Sequence, residues 1–286
     1  MRRLSSFIGL FVMGLSIMTV TTLNKSASAN SPQRVSSSYM EKVSKKMQYY
    51  RLNKNIRPAS SNLSKKTAVP KGTILNLDYT IDSGSHQKEG KALISDLVEM
   101  SYVFKKKLGF KPAYRSAYLL FSYYPHLFTR VKRPAYVLPY SDNVLYFGGL
   151  SALKREADSS FVHPKSTSKA LRITSDGYLE LYVRGRKPLS DPLFNWQYAQ
   201  KPTAYVKIAH AINKGSKKYL YYQKKLPEVR ATRLYHGKYR YRLRINNLHT
   251  PYRYTSNQGA NTYASFYSVG GSRYFTVPWG DGGDGD

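Results

Sequence analysis

The chain of 286 residues contains no cysteine. That absence excludes disulfides, thiolate metal sites, a thiol nucleophile and a lipid-modified cysteine anchor. Acids are scarce as well: 16 Asp and Glu stand against 46 Lys and Arg, a formal net charge of +30. Paired-carboxylate catalysis needs two acids held close together. Glu89, Asp96 and Glu99 lie close in sequence, in a stretch that reads as a helix with Asp96 and Glu99 on its exposed face. The six histidines, His86, His126, His163, His210, His236 and His249, have no ligand spacing, so no metal site is expected. Nucleophile elbow, P-loop and dinucleotide fingerprint are all missing, and no cofactor is expected. The expectation is therefore a binding protein rather than an enzyme.

What is present begins at the amino terminus. Arg2 and Arg3 precede an apolar stretch over residues 7–20, and Ala27-Ser28-Ala29 supplies a small-x-small site. Those are the three parts of an export signal in order, with cleavage expected after Ala29 and Ala27 and Ala29 filling the small peptidase pockets. The apolar stretch is shorter than the ~20 residues a bilayer span needs and is broken by Gly14 and Ser16. No second run of spanning length follows. The expected product is secreted, extracellular or held to the cell wall by non-covalent contacts, and a cysteine-free exported chain suits a Gram-positive bacterium.

Removal of the signal takes away only Arg2, Arg3 and Lys25, so the mature chain keeps most of its surplus. A charge of that size repels itself and attracts polyanions. Inside a cell nucleic acid would be the first partner to consider. Export replaces it with teichoic and lipoteichoic acids or host glycans, whose phosphate and other acidic groups accept charge-assisted hydrogen bonds from Lys and Arg.

Along the chain, residues 30–44 read as a basic, Ser-rich linker and residues 45–130 as an amino-terminal β module with a helix. A short helix is expected over residues 39–51. Pro70-Lys71-Gly72 is turn chemistry, and Thr73, Leu75, Leu77 and Tyr79 alternate after it as a strand does. Leu93, Leu97, Met100, Phe104 and Leu108 recur at helical spacing and predict one amphipathic helix over 89–108, with Lys105, Lys106 and Lys107 at its negative end. Strand patterns follow at Tyr136–Leu138, at Tyr178–Val183 and at Tyr239–Ile245. In the last, Tyr239, Tyr241, Leu243 and Ile245 share one face, and Arg240, Arg242 and Arg244 share the other. Residues 131–189 and 200–278 read as two β modules. Their echo, Arg133-Pro134-Ala135-Tyr136-Val137 against Lys201-Pro202-Thr203-Ala204-Tyr205-Val206, fits a duplication of about 70 residues. Residues 279–286 form an acidic Gly tail.

Two segments, AVPKGTILNLDY at residues 68–79 and LRITSDGYLELYV at residues 171–183, resemble extracellular proteins of lactobacilli that carry bacterial SH3-like or surface-layer-associated β modules. The shared features are Pro-Lys-Gly-Thr before a strand and Asp-Gly-Tyr between two strands. The resemblance implies non-catalytic attachment to the cell wall.

The expected fold is α+β and mainly β, made of small antiparallel modules of SH3-like or sandwich type plus the helix at 89–108. The expected function is binding of anionic cell-wall polymer through a basic surface. Arg240, Arg242, Arg244, Arg253, Lys105, Lys106 and Lys107 are the candidate cations, and Tyr239 and Tyr254 the candidate sugar-stacking rings. Two alternatives belong to other classes: a secreted hydrolase of wall glycans or phosphodiesters, marked by a cleft with a buried carboxylate, and an adhesin for host surfaces.

Overall fold

The computed structural model describes residues 31–43, 47–58, 67–77, 79–82, 91–96, 100–109, 118–122, 124–139, 143–157, 169–183, 201–255 and 261–276. The protein is α+β and mainly β, with every strand pair antiparallel. Ahead of the amino-terminal lobe come β1 (Gln33–Arg34) and α1 (Ser37–Val43); the lobe holds β2 (Gln48–Leu52), β3 (Ile74–Leu77), β4 (Tyr79–Asp82), β5 (Lys91–Asp96), α2 (Tyr102–Leu108), β6 (Tyr118–Ser122) and β7 (Phe128–Val131). The remainder holds β8 (Val144–Phe147), α3 (Leu150–Ala157), β9 (Ala170–Ile173), β10 (Tyr178–Tyr182), β11 (Ala204–Lys207), β12 (His210–Lys214), β13 (Lys217–Tyr222), β14 (Thr232–Arg233), β15 (Tyr241–Thr255), β16 (Asn261–Val269) and β17 (Ser272–Thr276).

The second set forms one sheet in the order β11-β10-β9-β8-β17-β16-β15-β13-β12. Its two outermost strands are consecutive in the chain, with only Ile208 and Ala209 between them. Ile208 donates its N–H to the Gly177 carbonyl beside β10, and Ala209 donates to the Tyr221 carbonyl on β13. One stretch of chain therefore bridges both edges, and the sheet closes into a barrel. Counting β11 and β12 as one bent strand, eight strands go round in sequence order, sealed by β17 against β8. Eight strands enclose an interior that side chains just fill, and closure leaves no edge for another chain to extend.

Alternation decides what enters that interior. Leu171, Ile173, Leu179, Leu181, Val206, Leu220, Tyr222, Leu243, Ile245, Tyr267, Val269 and Tyr274 point inward and are buried in one cluster. Fully burying each such side chain stabilises the fold by roughly 1.5–3 kcal/mol before entropy is counted. Inward positions run 204, 206 and 208 along β11 but include Ala211 on β12, so the face switches at the bend. On the outside, α3 covers Tyr146, Ala170, Tyr182, Ala264, Phe266 and Phe275 with Leu150, Ala152 and Leu153. Leu226 and Val229, from the connection after β13, join the barrel core.

The lobe docks on the barrel through its own small sheet, β3-β2-β7. Tyr49 and Ile74 turn toward the barrel core, whereas Leu52 and Leu75 turn toward Met100, Phe104, Leu108, Phe121 and Phe128. The start of α2 is fixed by two acids on the barrel. Asp176 accepts from the Ser101 N–H (2.9 Å) and hydroxyl (2.6 Å), and Glu180 accepts from the Tyr102 N–H (2.5 Å) and the Tyr182 hydroxyl (2.8 Å).

Several local expectations need correction. The helix expected over 89–108 is α2 alone, Tyr102–Leu108, while Lys91–Asp96 is β5, the middle strand of the sheet β4-β5-β6. Helical spacing in a run of Leu and Ile is equally met by a strand followed by a short helix. Ladder bonds on both sides of β5 and the Ser101 cap on the Phe104 N–H (3.1 Å) decide between them. The helix expected over 39–51 is α1 to Val43, then strand from Gln48. Tyr136-Val137-Leu138 lies in turns rather than a strand.

Within the Ser-rich stretch expected as a linker over 30–44, residues 31–43 hold β1, paired with β15, and α1. Residues 131–189 and 200–278 contribute strands to the same closed sheet. Their echoed segments differ in form: Arg133–Val137 is loop and Ala204–Lys207 is strand. Residues 1–30, with the expected cleavage site at Ala27 and Ala29, residues 189–200 and the tail 279–286 lie outside the described residues.

Candidate polyanion-binding surface

Residues 201–255 carry fourteen Lys and Arg and a single acid, Glu228. Glu228 is already engaged, 2.9 Å from the Lys169 ammonium. Strand alternation sorts these cations. With Leu220, Tyr222, Leu243 and Ile245 inside, the outward set on β12, β13 and β15 must be His210, Ile212 and Lys214, then Lys217, Tyr219 and Tyr221, then Arg242 and Arg244. Register aligns them in rungs: His210, Tyr221 and Arg242 in one, and Ile212, Tyr219 and Arg244 in the next. The helix α3 packs elsewhere on the wall, against Tyr146, Phe266 and Phe275.

Aromatic rings organise this face. Tyr239 stacks on His210 at 5.8 Å and 8°, and Tyr221 tilts against both, 5.5 Å from Tyr239 and 5.7 Å from His210. The Arg242 guanidinium lies 5.5 Å from the Tyr219 ring centroid. Arg233 covers Tyr235 at 5.3 Å, and Tyr235 is 79% exposed. Such contacts hold each cation over a ring face, so less side-chain freedom remains to be lost on binding.

The sequence-derived residues divide between this face and other places. Arg240 and Arg244 are exposed and Arg242 half-buried on it; Tyr239, expected on the inward face with Tyr241, precedes β15 and turns outward instead, with one ring face against His210. Arg253 is farther along β15, past the irregularity between Asn247 and Pro251, opposite Gln33 and Tyr263. Tyr254 pairs in register with Thr262, and its side chain lies outside the described residues. Lys106 and Lys107 are exposed on α2 in the lobe. Lys105 is 2% exposed, which removes it from the candidate cations: on a helix packed by Phe104 and Leu108 it falls on the covered side. Sequence reasoning missed Tyr219, Tyr221, Tyr235 and His210. The alternation in Lys217–Tyr222 and the turn at Tyr235-His236-Gly237-Lys238 were the available signals.

A second basic feature sits at one end of the barrel. The β12–β13 turn, the end of β15 and the loop 132–139 enclose a cavity of about 510 Å³. Lys132, Arg133, Lys217, Lys218 and His249 line it, and no lining residue is acidic. Lys218 shares the inward face of β13 with Leu220 and Tyr222, so its stem enters the barrel. Its ammonium donates to the Ala135 carbonyl and to Asn213 Oδ1 (2.6 Å). Burial, helped by the Arg133 charge, pushes its pKa down to about 8.

The buried carboxylate that would favour a hydrolase does exist, but not in a cleft. Glu180 is fully buried under α2, opposite Arg172, with both oxygens accepting hydrogen bonds. Its geometry fastens the lobe. Among the described residues no group of three or more His, Asp or Glu is placed to hold a metal ion, and no helix is long and apolar enough to cross a membrane. Compared with known proteins, the chain matches no family model, no curated protein and no solved structure.

Proposed function

We propose that this protein is an exported, non-catalytic binding protein that attaches to anionic cell-wall polymer, of the teichoic or lipoteichoic acid kind, through the outer face of its barrel. The observation that carries the reading is the charge asymmetry of residues 201–255, fourteen cations to one acid, with Arg242 and Arg244 set in register beside the half-buried rings of Tyr221 and Tyr219. A sugar-phosphate polymer offers a partner for both components. Phosphates accept from Arg240, Arg242 and Arg244, while apolar faces of sugar or alditol units pack on Tyr219, Tyr221 and Tyr235.

Attachment of this sort is salt-sensitive, because each neutralised phosphate releases counterions. About six contacts lose roughly a thousandfold in affinity between 50 and 200 mM salt. The test is retention of the purified mature chain on isolated walls, with and without their teichoic acids, across graded salt. The expected result is strong retention on intact walls, release by salt, and weak retention on stripped walls. Replacing Arg240, Arg242 and Arg244 by Ser should flatten the salt dependence by about one contact per substitution. Equal retention on stripped and intact walls, or no response to salt, overturns the proposal.

A further inference from the structure

The cavity at the barrel end differs in kind from the outer face. It is concave, it falls in the size range of small-ligand sites, and its cations converge from three separate parts of the chain. Lys132 and Arg133 come from the loop after β7, Lys217 and Lys218 from β13, and His249 from β15. Arg133 is held in place by donating Nη1 to the Pro139 carbonyl at 3.0 Å. Two of the three ammonium donors of Lys218 have partners in Ala135 and Asn213, which leaves one for a ligand. Below this rim the floor is apolar, formed by Val137, Leu138 and Ile245.

Like charges gathered around one hollow raise the free energy of the empty protein. Sequence alternation alone does not require this, because the interior position of Lys218 is one that Leu or Met would fill at lower cost. We infer that the barrel mouth is a discrete binding site for a compact, multiply charged phosphate group, either pyrophosphate or the phosphomonoester end of a larger molecule. The site is separate from the polymer-binding face and stands whether or not that face binds wall. A group with several anionic oxygens can accept from Lys218, Arg133 and Lys132 together, and a singly charged carboxylate satisfies fewer of them.

Titration of Lys218 supplies an internal reporter. The charged groups facing it are Lys132 and Arg133 from the loop and Lys217 beside it, all basic; His249 from β15 and the Tyr267 phenol from β16 are the remaining titratable groups. An anion placed among them favours the ammonium form, so above pH 8 binding should draw more proton into the natural chain than into Lys218→Met, the titration of the probe itself being common to both.

The experiment is calorimetric titration of the full chain with inorganic pyrophosphate, and separately with glycerol 1-phosphate, at 150 mM salt. It is run at pH 6.5 and 8.5 in buffers of differing ionisation heat. The expected result is saturable one-to-one binding, with more proton taken up by the natural chain than by Lys218→Met at pH 8.5 and no such difference at pH 6.5. Lys218→Met should weaken binding at least about tenfold and leave only the proton exchange of the probe and the other cavity groups, whereas Arg244→Ser on the outer face changes affinity less than about twofold. Near-UV circular dichroism of the tyrosines checks that each variant is folded. Should Lys218→Met not fold, Arg133→Gln at the cavity rim takes its place, with the same weakening expected. Tight binding of only one probe identifies the source, free pyrophosphate or a phosphomonoester terminus. Non-saturable binding, or equal losses in the cavity and Arg244 variants, overturns the inference.

Discussion

The barrel and the amino-terminal lobe are built from similar residues and held by different means. In the barrel, each strand has a partner on both sides and closure ties every register to the next. In the lobe, two three-stranded sheets and a seven-residue helix depend on neighbours for their position. The barrel makes its own core, whereas the lobe is attached through Tyr49, Ile74 and the acceptors Asp176 and Glu180. Closed pairing makes stability a property of the whole ring. Docking makes it a property of a few contacts.

The sharpest way to break the barrel is at its tightest turn. Gly270 has φ +58°, and a Cβ there would stand 2.0 Å from the Arg230 carbonyl oxygen, a backbone atom of the segment that fills the barrel end. Gly215, φ +56°, turns the β12–β13 hairpin with open space around it. Gly215→Ala should cost about 1 kcal/mol, the conformational term alone. Gly270→Ala should exceed about 3 kcal/mol, because backbone on both sides must move. At this size that corresponds to a fall of about 10 °C in Tm. Equal costs for the two would show that the carbonyl contact yields easily and that the ring is looser than its topology implies.

Next in size is the attachment of the lobe. Glu180→Ala removes the acceptor of the Tyr102 N–H and the Tyr182 hydroxyl and empties the position opposite buried Arg172. Removing one member of a buried charged set costs roughly 3 kcal/mol. The loss should appear as a separate early transition: limited proteolysis cuts near α2 while near-UV signals from Tyr222, Tyr267 and Tyr274 persist. A single cooperative melt at reduced temperature would mean that lobe and barrel fold as one unit.

The same contrast explains what could be read in advance. Tyr178–Tyr182 and Tyr241–Ile245 were legible as strands because one face meets a continuous core, which imposes a strict period of two. Pro70-Lys71-Gly72 and Asp176-Gly177-Tyr178 were legible because their turns are set locally. Lys91–Asp96 was misread because its identity is fixed by pairing with the strands before and after it, β4 and β6, which no periodicity within the segment records. Closure itself was hidden for the same reason, resting on two residues, Ile208 and Ala209, that look like any strand interior. The arginine row at Arg240, Arg242 and Arg244 could be placed on an outer face from alternation. The cavity could not, since Lys132, Arg133, Lys218 and His249 meet only once the barrel is closed and the loop 132–139 lies over its end.

The smallest effect separates two kinds of buried group within the barrel by their response to alkali. Lys218 has a pKa of about 8 in the fold against 10.5 in the unfolded chain. Between those values the unfolded chain holds a proton that the folded one has released, so this group makes stability rise with pH across the window. The tyrosines act in the opposite sense. Burial, with a smaller push from Glu228, raises Tyr274 to about 12, and burial likewise raises Tyr222 and Tyr136. Above pH 10 the unfolded chain loses phenolic protons that the folded chain keeps, and stability falls. Denaturant unfolding in buffers free of phosphate and sulfate should therefore show a maximum near pH 10. Subtracting the profile of Lys218→Met from that of the natural chain cancels the general relief of charge repulsion and isolates one group. The difference should change by about 1 kcal/mol between pH 8 and 10.5, allowing for solvent screening at the cavity, and stay flat above it. A flat difference throughout would place the Lys218 ammonium in water rather than under the loop, and would remove the pH reporter from the cavity with it.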